Sequence, residues 1–218
     1  MQQEPTSQPQ SYDFLPEAVV VGGGDFPSHP IPLSLLQGTT RIVCLDGATE
    51  TCVNKGIKPW RIVGDCDSLS QESQKQYAGC LRKDADQETN DQTKGVRYLM
   101  AKGLRRMAIV AATGKREDHT LGNISLLVDY MQEGAEVRIY TDHGVFISCR
   151  NSASFTCPVG TAVSIFSFGT KHMKAKGLEY PLRDFTSWWQ GTLNATVAPT
   201  FEIDCEGEYL VFMHYPTR

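Results

Sequence analysis

Ala18-Val19-Val20-Val21 is an unbroken apolar run that ends abruptly in Gly22-Gly23-Gly24, and the same texture recurs along the first part of the chain. Arg41 to Leu45 ends in Asp46-Gly47-Ala48, and Trp60 to Val63 ends in Gly64-Asp65. Met107 to Ala111 ends in Thr113-Gly114, and Glu136 to Tyr140 follows. Short apolar runs bounded by turn residues read as buried strands. Between them, helical patterns are expected over 49–54, 71–77, 92–102 and 119–131. The last carries Leu121, Ile124, Leu127 and Val128 at helical spacing, so that face belongs to a core. Strands that alternate with helices predict an α/β domain with a largely parallel sheet, here over residues 17–142.

Beyond about Tyr140 the pattern changes. Val145 to Ile147, Ala162 to Phe166, Leu193 to Val197 and Tyr209 to His214 are strand-like, separated by Gly, Pro, Asn and Ser. No long helical period lies between them. This predicts an all-β second domain, a small sandwich, over residues 143–218. Residues 1–16 are rich in Gln and Pro and lack the basic and apolar blocks of a signal peptide, so they read as a mobile leading segment.

Composition narrows the functional classes. The chain has 218 residues and a net charge of −4, with no run of Lys or Arg, which argues against a general nucleic-acid binder. Its apolar stretches are strand-sized, so no membrane span is expected. Seven cysteines without a Cys-x-x-Cys pair read as reduced thiols in a cytoplasm. Cys66 lies between Asp65 and Asp67, whose charges disfavour a thiolate, and it reads as packing rather than as a nucleophile.

The candidate chemistry sits where the strands end. In a parallel sheet these ends share one edge, the usual place for a ligand. Asp46, Asp65, Asp67, Asp91 and Asp118 are therefore expected to converge there. Clustered carboxylates raise one another's pKa unless a cation offsets the repulsion, so a divalent metal is the natural resolution. Mg²⁺ is usually held by one or two carboxylates plus substrate phosphates. Lys115 and Arg116 add positive charge for phosphate oxygens. Gly47 lets backbone approach a phosphate. Asn90 and Thr89 are natural caps for the helix that follows. His119 reads as a packing or hydrogen-bonding residue at a helix start.

As a set, Asp46-Gly47-Ala48, Gly64-Asp65-Cys66-Asp67-Ser68, Gln87 to Asp91, and Gly114 to His119 with Asn123 resemble the motifs of the thiamine pyrophosphokinase family. The third motif departs slightly, with Asn90 where Thr directly before Asp91 is expected. The resemblance implies an N-terminal α/β domain, a C-terminal β-sandwich, and a homodimer with thiamine at the subunit interface. It implies transfer of the diphosphoryl group of ATP to the thiamine hydroxyl. By position, Asp65, Asp67 and Asp91 would hold Mg²⁺, with Asp46 close to metal or nucleotide. Gln87 and Arg116 would contact phosphate oxygens, and Asp118 would anchor the site or orient the hydroxyl. Asp91 and Asp118 both stand as candidates to accept the hydroxyl proton.

The family's Ser-Asn pair for the aminopyrimidine falls at Gly191-Thr192-Leu193-Asn194, without the Ser. Strand alternation would put Thr192 and Asn194 on one face, so both are assigned to thiamine, with Trp188 or Trp189 as an aromatic wall. Two other readings stand beside this one. Asp65-Cys66-Asp67-Ser68-Leu69 resembles the nucleophile motif of haloacid dehalogenase phosphatases, with Leu69 out of pattern. The missing Ser also fits a non-catalytic thiamine or nucleotide sensor.

Overall fold

The computed structural model describes residues 9–65, 67, 69–84, 86 and 88–216 of the chain. The chain divides into two compact units, Leu15–Asp142 and a second made of Met1–Phe14 with His143–Arg218.

The first unit is an α/β layer structure. Its strands are β1 (Ala18–Val21), β2 (Ile42–Leu45), β3 (Arg61–Gly64), β4 (Leu81–Lys83), β5 (Arg106–Val110) and β6 (Glu136–Tyr140). All pair in parallel, in the order β6-β5-β1-β2-β3-β4. Every residue of β1 and β2 is buried, as expected of strands covered on both faces by helices. The helices are α1 (Pro30–Gln37), α2 (Thr49–Asn54), α3 (Gln71–Gln76), α4 (Asp91–Ala101) and α5 (Glu117–Gln132).

Two elements here were not expected from the pattern. The sequence of α1, PIPLSLLQ, carries Pro30 and Pro32, which look like breakers but sit in the first turn, where no intrahelical N–H is lost. The His29 side chain caps this helix by accepting from the Ile31 N–H at 3.3 Å. Strand β4 is three residues long, partly exposed and at the sheet edge, so it has no apolar run to announce it.

The second unit is all β, in agreement with the sequence pattern. It contains β7 (Gly144–Arg150), β8 (Ala153–Thr156), β9 (Ala162–Lys176), β10 (Gly191–Ala195) and β11 (Thr200–His214). Strand β11 is its spine. Its second half pairs with β7 and its first half with β8, while β9 runs antiparallel along both halves through register shifts near Glu206. Phe155 and Phe201 stack in the core with ring centroids 4.6 Å apart. The first half of β11 alternates buried Phe201, Ile203 and Cys205 with exposed Glu202 and Asp204. That period of two extends the strand nine residues ahead of the expected start at Tyr209.

The N-terminal segment needs a correction. Residues 1–8 lie outside the described residues, but Gln10 to Phe14 is docked on the second unit. The Gln10 N–H donates to Ser154 O, and Gln10 O accepts from the Thr156 N–H, each at 2.8 Å. The Tyr12 hydroxyl donates to His214 O, and Phe14 is buried. The physical reason is the open edge of β8, whose unpaired backbone groups this segment covers.

Candidate active site

The sheet order reverses direction between β5 and β1. From β1 the chain winds outward through β2, β3 and β4, and β5 and β6 are then added on the other side. A crevice opens beyond the carboxyl ends of strands at such a switch point. It is present here, with a volume of about 490 Å³.

Glycines make the crevice possible. Gly22 donates to Val110 O at 2.9 Å and Gly24 donates to Ala111 O at 2.7 Å, which draws the turns after β1 and β5 together. Ala111 itself has φ 54°, an uncommon conformation for a residue with a Cβ. Gly64, at φ 154°, ends β3 beside Asp46, where a Cβ would lie 2.6 Å from the Asp46 Cβ. Nothing crowds Gly47, which lines the crevice with open space where a Cβ would stand.

Of the acids expected to converge, Asp65 and Asp91 line the crevice. Asp46 is buried behind it, close enough for its carboxyl to hydrogen-bond Asp65. The Asp65 carboxyl is held below its ordinary range first by the Asp67 backbone N–H, from which it accepts at 3.1 Å, and further by the charges of Lys94 and Lys83. Desolvation opposes this shift.

Asp67 is placed differently. Its side chain is 80% exposed, 3.8 Å from Lys83, and does not line the crevice. Asp118 also stands outside, turned to Arg116. The expectation of five converging carboxylates is therefore corrected. Among the described residues, no three acidic, His or Cys side chains form a group that could hold a metal ion by themselves. The strand ends do share an edge, but the loops beyond them aim Asp67 and Asp118 elsewhere. Gln87 and Cys66 lie outside the described residues.

Positive charge faces the two lining acids. Lys115 and Arg116 both line the crevice. Arg116 is gripped by Asp118 in a two-point contact, Nε to Oδ1 at 3.1 Å and Nη2 to Oδ2 at 2.5 Å. This pairing, reinforced by the His119 backbone N–H, lowers the Asp118 carboxyl to about 2. Both side chains are largely exposed, so the pair contributes orientation more than stability. His119 lines the crevice beside them.

A sign follows for pH. A depressed carboxyl pKa gives an interaction present above the ordinary carboxylate value and lost only as pH falls toward the lowered one. Asp118 therefore stays ionised across about pH 5–9. Replacing Asp118 by Asn is expected to lower kcat about tenfold by loosening Arg116, by the same factor at every pH in that range. A pH–rate profile checks this. A shifted acid limb in the variant would contradict it.

One residue of the site was missed in the sequence. Lys94 lies one turn into α4, with its side chain only 4% exposed, lining the crevice. Its Nζ is 3.3 Å from Asp91 Oδ1, and Asp91 is itself 45% exposed. In sequence Lys94 is one polar residue on an amphipathic helix, and only its i,i+3 spacing from Asp91 hints at a pair. Its burial depends on how α4 packs on the sheet, where Gly95 stands against Leu45 and Val20.

In the second unit the two-residue alternation breaks at β10. The register with β9 shifts between Gly191 and Asn194, and Leu193 adopts φ 63° with 87% of its surface exposed. A bulge of this kind breaks the two-residue period. Asn194 is buried, and its amide is engaged by backbone. It accepts from the Tyr180 N–H at 3.0 Å and the Ala195 N–H at 2.9 Å, and donates to Tyr180 O at 2.8 Å. It thus acts as a bracket between segments, unlike the substrate contact expected of it. Thr192 is half-buried, and Trp188 and Trp189 are exposed, Trp188 stacking on Phe166 at 5.6 Å.

Comparison with known proteins bears on the whole chain. Residues 33–140 match the model of the thiamin pyrophosphokinase catalytic domain, and residues 144–212 match that of the thiamin pyrophosphokinase substrate-binding domain. Among solved structures, the thiamine pyrophosphokinase from Bacillus subtilis is similar with a TM-score of 0.76 and 19% identity, covering 92% of this chain and 99% of that one. The thiamin pyrophosphokinase from Candida albicans has a TM-score of 0.73 and 14% identity, over 99% and 96% of the two chains. The yeast enzyme has a TM-score of 0.70 and 16% identity, over 96% and 87%. At such identities these structures speak for the fold alone. A sequence search among curated proteins gives no match. Neither the phosphatase nor the sensor reading finds support in these matches. With both domain models matched in order along most of its length, and with its strand-end motifs lining one crevice, the chain belongs to the thiamin pyrophosphokinase family.

Proposed function

We propose that this protein transfers the β,γ-diphosphoryl group of ATP to the hydroxyl of thiamine, giving thiamine diphosphate and AMP. The observation that carries this reading is the switch-point crevice, in which Asp65 and Asp91 face Lys94, Lys115 and Arg116. Transfer of a diphosphoryl group needs positioning and charge neutralisation rather than a covalent protein intermediate. Lys94, Lys115 and Arg116 bind the phosphate oxygens, Arg116 by two points and the lysines as point charges. Gly23 and Gly47 leave room for the chain of phosphates to lie against backbone.

Mg²⁺ suits the donor set, because it takes hard oxygens and needs only one or two carboxylates beside phosphate. Asp65 and Asp91 would hold it, with Asp46 behind Asp65. When bound it offsets charge on the transferring phosphates. Asp91 and Asp118 both remain candidates to take the hydroxyl proton, each paired with a cation, Asp91 with Lys94 and Asp118 with Arg116.

The second unit supplies the acceptor side in this reading, with Trp189 and Thr192 as thiamine contacts. Its exposed Trp188, Trp189, Leu193, Tyr180 and Val197 are the kind of apolar surface that a homodimer covers. A cytoplasmic setting, where thiols stay reduced, belongs to the same proposal.

The test is to incubate the protein with thiamine, ATP and Mg²⁺ and to follow products by mass spectrometry. AMP and thiamine diphosphate in equal amounts are expected. ADP with inorganic phosphate and no AMP would overturn the reading.

A further inference from the structure

Helix α4 presents two kinds of polar residue in its first turn. Asp91 and Lys94 sit at the crevice, and between them Gln92 and Thr93 are buried against α5, Gln92 also bordering the crevice and Thr93 lying behind it. Polar side chains at a helix–helix contact are costly unless every group is satisfied, and an apolar pair would give more stability there. These are satisfied by a specific set of partners. Thr93 Oγ1 lies 2.9 Å from the hydroxyl of Tyr130. Gln92 Nε2 donates to Asn123 O at 3.0 Å and reaches the Tyr130 hydroxyl at 3.5 Å. Asn123 in turn accepts from Asn90 Nδ2 at 3.0 Å and donates to Ala112 O at 2.8 Å. Asn90 closes the circuit as the cap of α4, accepting from the Thr93 N–H at 2.9 Å.

The circuit ties together the cap of α4, the middle of α5 and the turn after β5, which are three walls of the crevice. Tyr130 lies outside the crevice lining and is 1% exposed. We propose that Tyr130 is a positioning residue, whose buried hydroxyl fixes the first turn of α4 through Thr93 and Gln92 and so sets Lys94 and Asp91 against the diphosphoryl group. This rests on the diphosphoryl-transfer reading above. Burial pushes the Tyr130 phenol above its ordinary value, so it remains a neutral hydrogen-bonding group. A further tie between the helices, among the described residues, is the exposed pair Arg97–Glu133, at 3.1 Å, two turns from the cap. An exposed pair of this kind holds little.

The test uses Tyr130→Phe, which keeps the ring and removes the hydroxyl, with Arg97→Gln as control. Two readings are taken: steady-state kinetics with thiamine and ATP, and hydrogen exchange of the amides at residues 92–95. Tyr130→Phe is expected to lower kcat about tenfold, as a small misplacement near the reacting groups does. KM for thiamine should be unchanged, and exchange at 92–95 should be faster while β1, β2 and β5 stay protected. Arg97→Gln should leave both readings at wild-type values. Unchanged kcat with unchanged exchange would overturn the proposal, and so would a rate loss that merely tracks loss of folded protein. If the wild-type protein makes no thiamine diphosphate, the functional reading falls by itself. Exchange at 92–95 then decides alone whether the Tyr130 hydroxyl locks this turn. Should Tyr130→Phe fail to fold, Thr93→Val with Tyr130→Phe removes the orphaned hydroxyl as well and carries the same test.

Discussion

Replacing Lys94 by Met is expected to lower kcat by about 10²–10³-fold while leaving the protein at least as stable. The two halves of this expectation have separate causes. Lys94 is a buried ammonium whose nearest charge is Asp91, at 3.3 Å, and which also acts on Asp65. Without it, two carboxylates line the crevice with less positive charge to offset them, and a polyanionic nucleotide is repelled. Met fills nearly the same volume with no charge to desolvate. Asp91 keeps solvent on nearly half its surface, so losing its partner does not strand a buried ion. Steady-state kinetics and a thermal melt check both halves. Full activity would remove Lys94 from the site. A collapsed melt would make it a structural ion pair instead.

Gly24→Ala is expected to destabilise the protein by about 3 kcal/mol. That corresponds to a fall of roughly 6–12 °C in the melting temperature for a chain of this size. An added Cβ would stand 2.7 Å from Ala111 O and 2.8 Å from the Thr113 nitrogen, and would meet Thr113 O as well. All of these are backbone atoms, so no side-chain rotation relieves the clash. The turn must open, and with it the hydrogen bonds from Gly24 to Ala111 and from Asp25 to Thr113. Activity should fall with it, because Gly22–Gly24 and Ala112–Thr113 are adjoining parts of the crevice wall. Differential scanning calorimetry reads the effect. A variant that melts within a degree or two of wild type would show that the two turns are not tightly joined.

The parallel unit was legible because its strands are buried on both faces, so runs such as Ala18–Val21 are apolar throughout. Helix α1 was hidden because Pro30 and Pro32 are informative only once their place in the first turn is known. The long strand β11 was only half visible, since its first half alternates with acids and its second half does not. In the site, motifs on single strand ends could be read directly. Side-chain direction in the loops could not, which is why Asp67 and Asp118 were expected in the crevice.

By itself the sequence determined the two-part architecture, the placement of Asp65 after a strand and of Asp91 and Arg116 at helix starts, and the family to which their combination points. These follow from local pattern, which periodicity and turn residues encode within a few positions. Tertiary structure alone decided what each side chain faces. It buried Lys94 beside Asp91, turned Asp118 onto Arg116, engaged Asn194 with Tyr180, and joined Thr93 to Tyr130 across 37 positions. Such pairings are set by how helices pack on the sheet and how a bulge redirects a strand. Burial and hydrogen-bond geometry are long-range quantities, fixed only when distant segments meet.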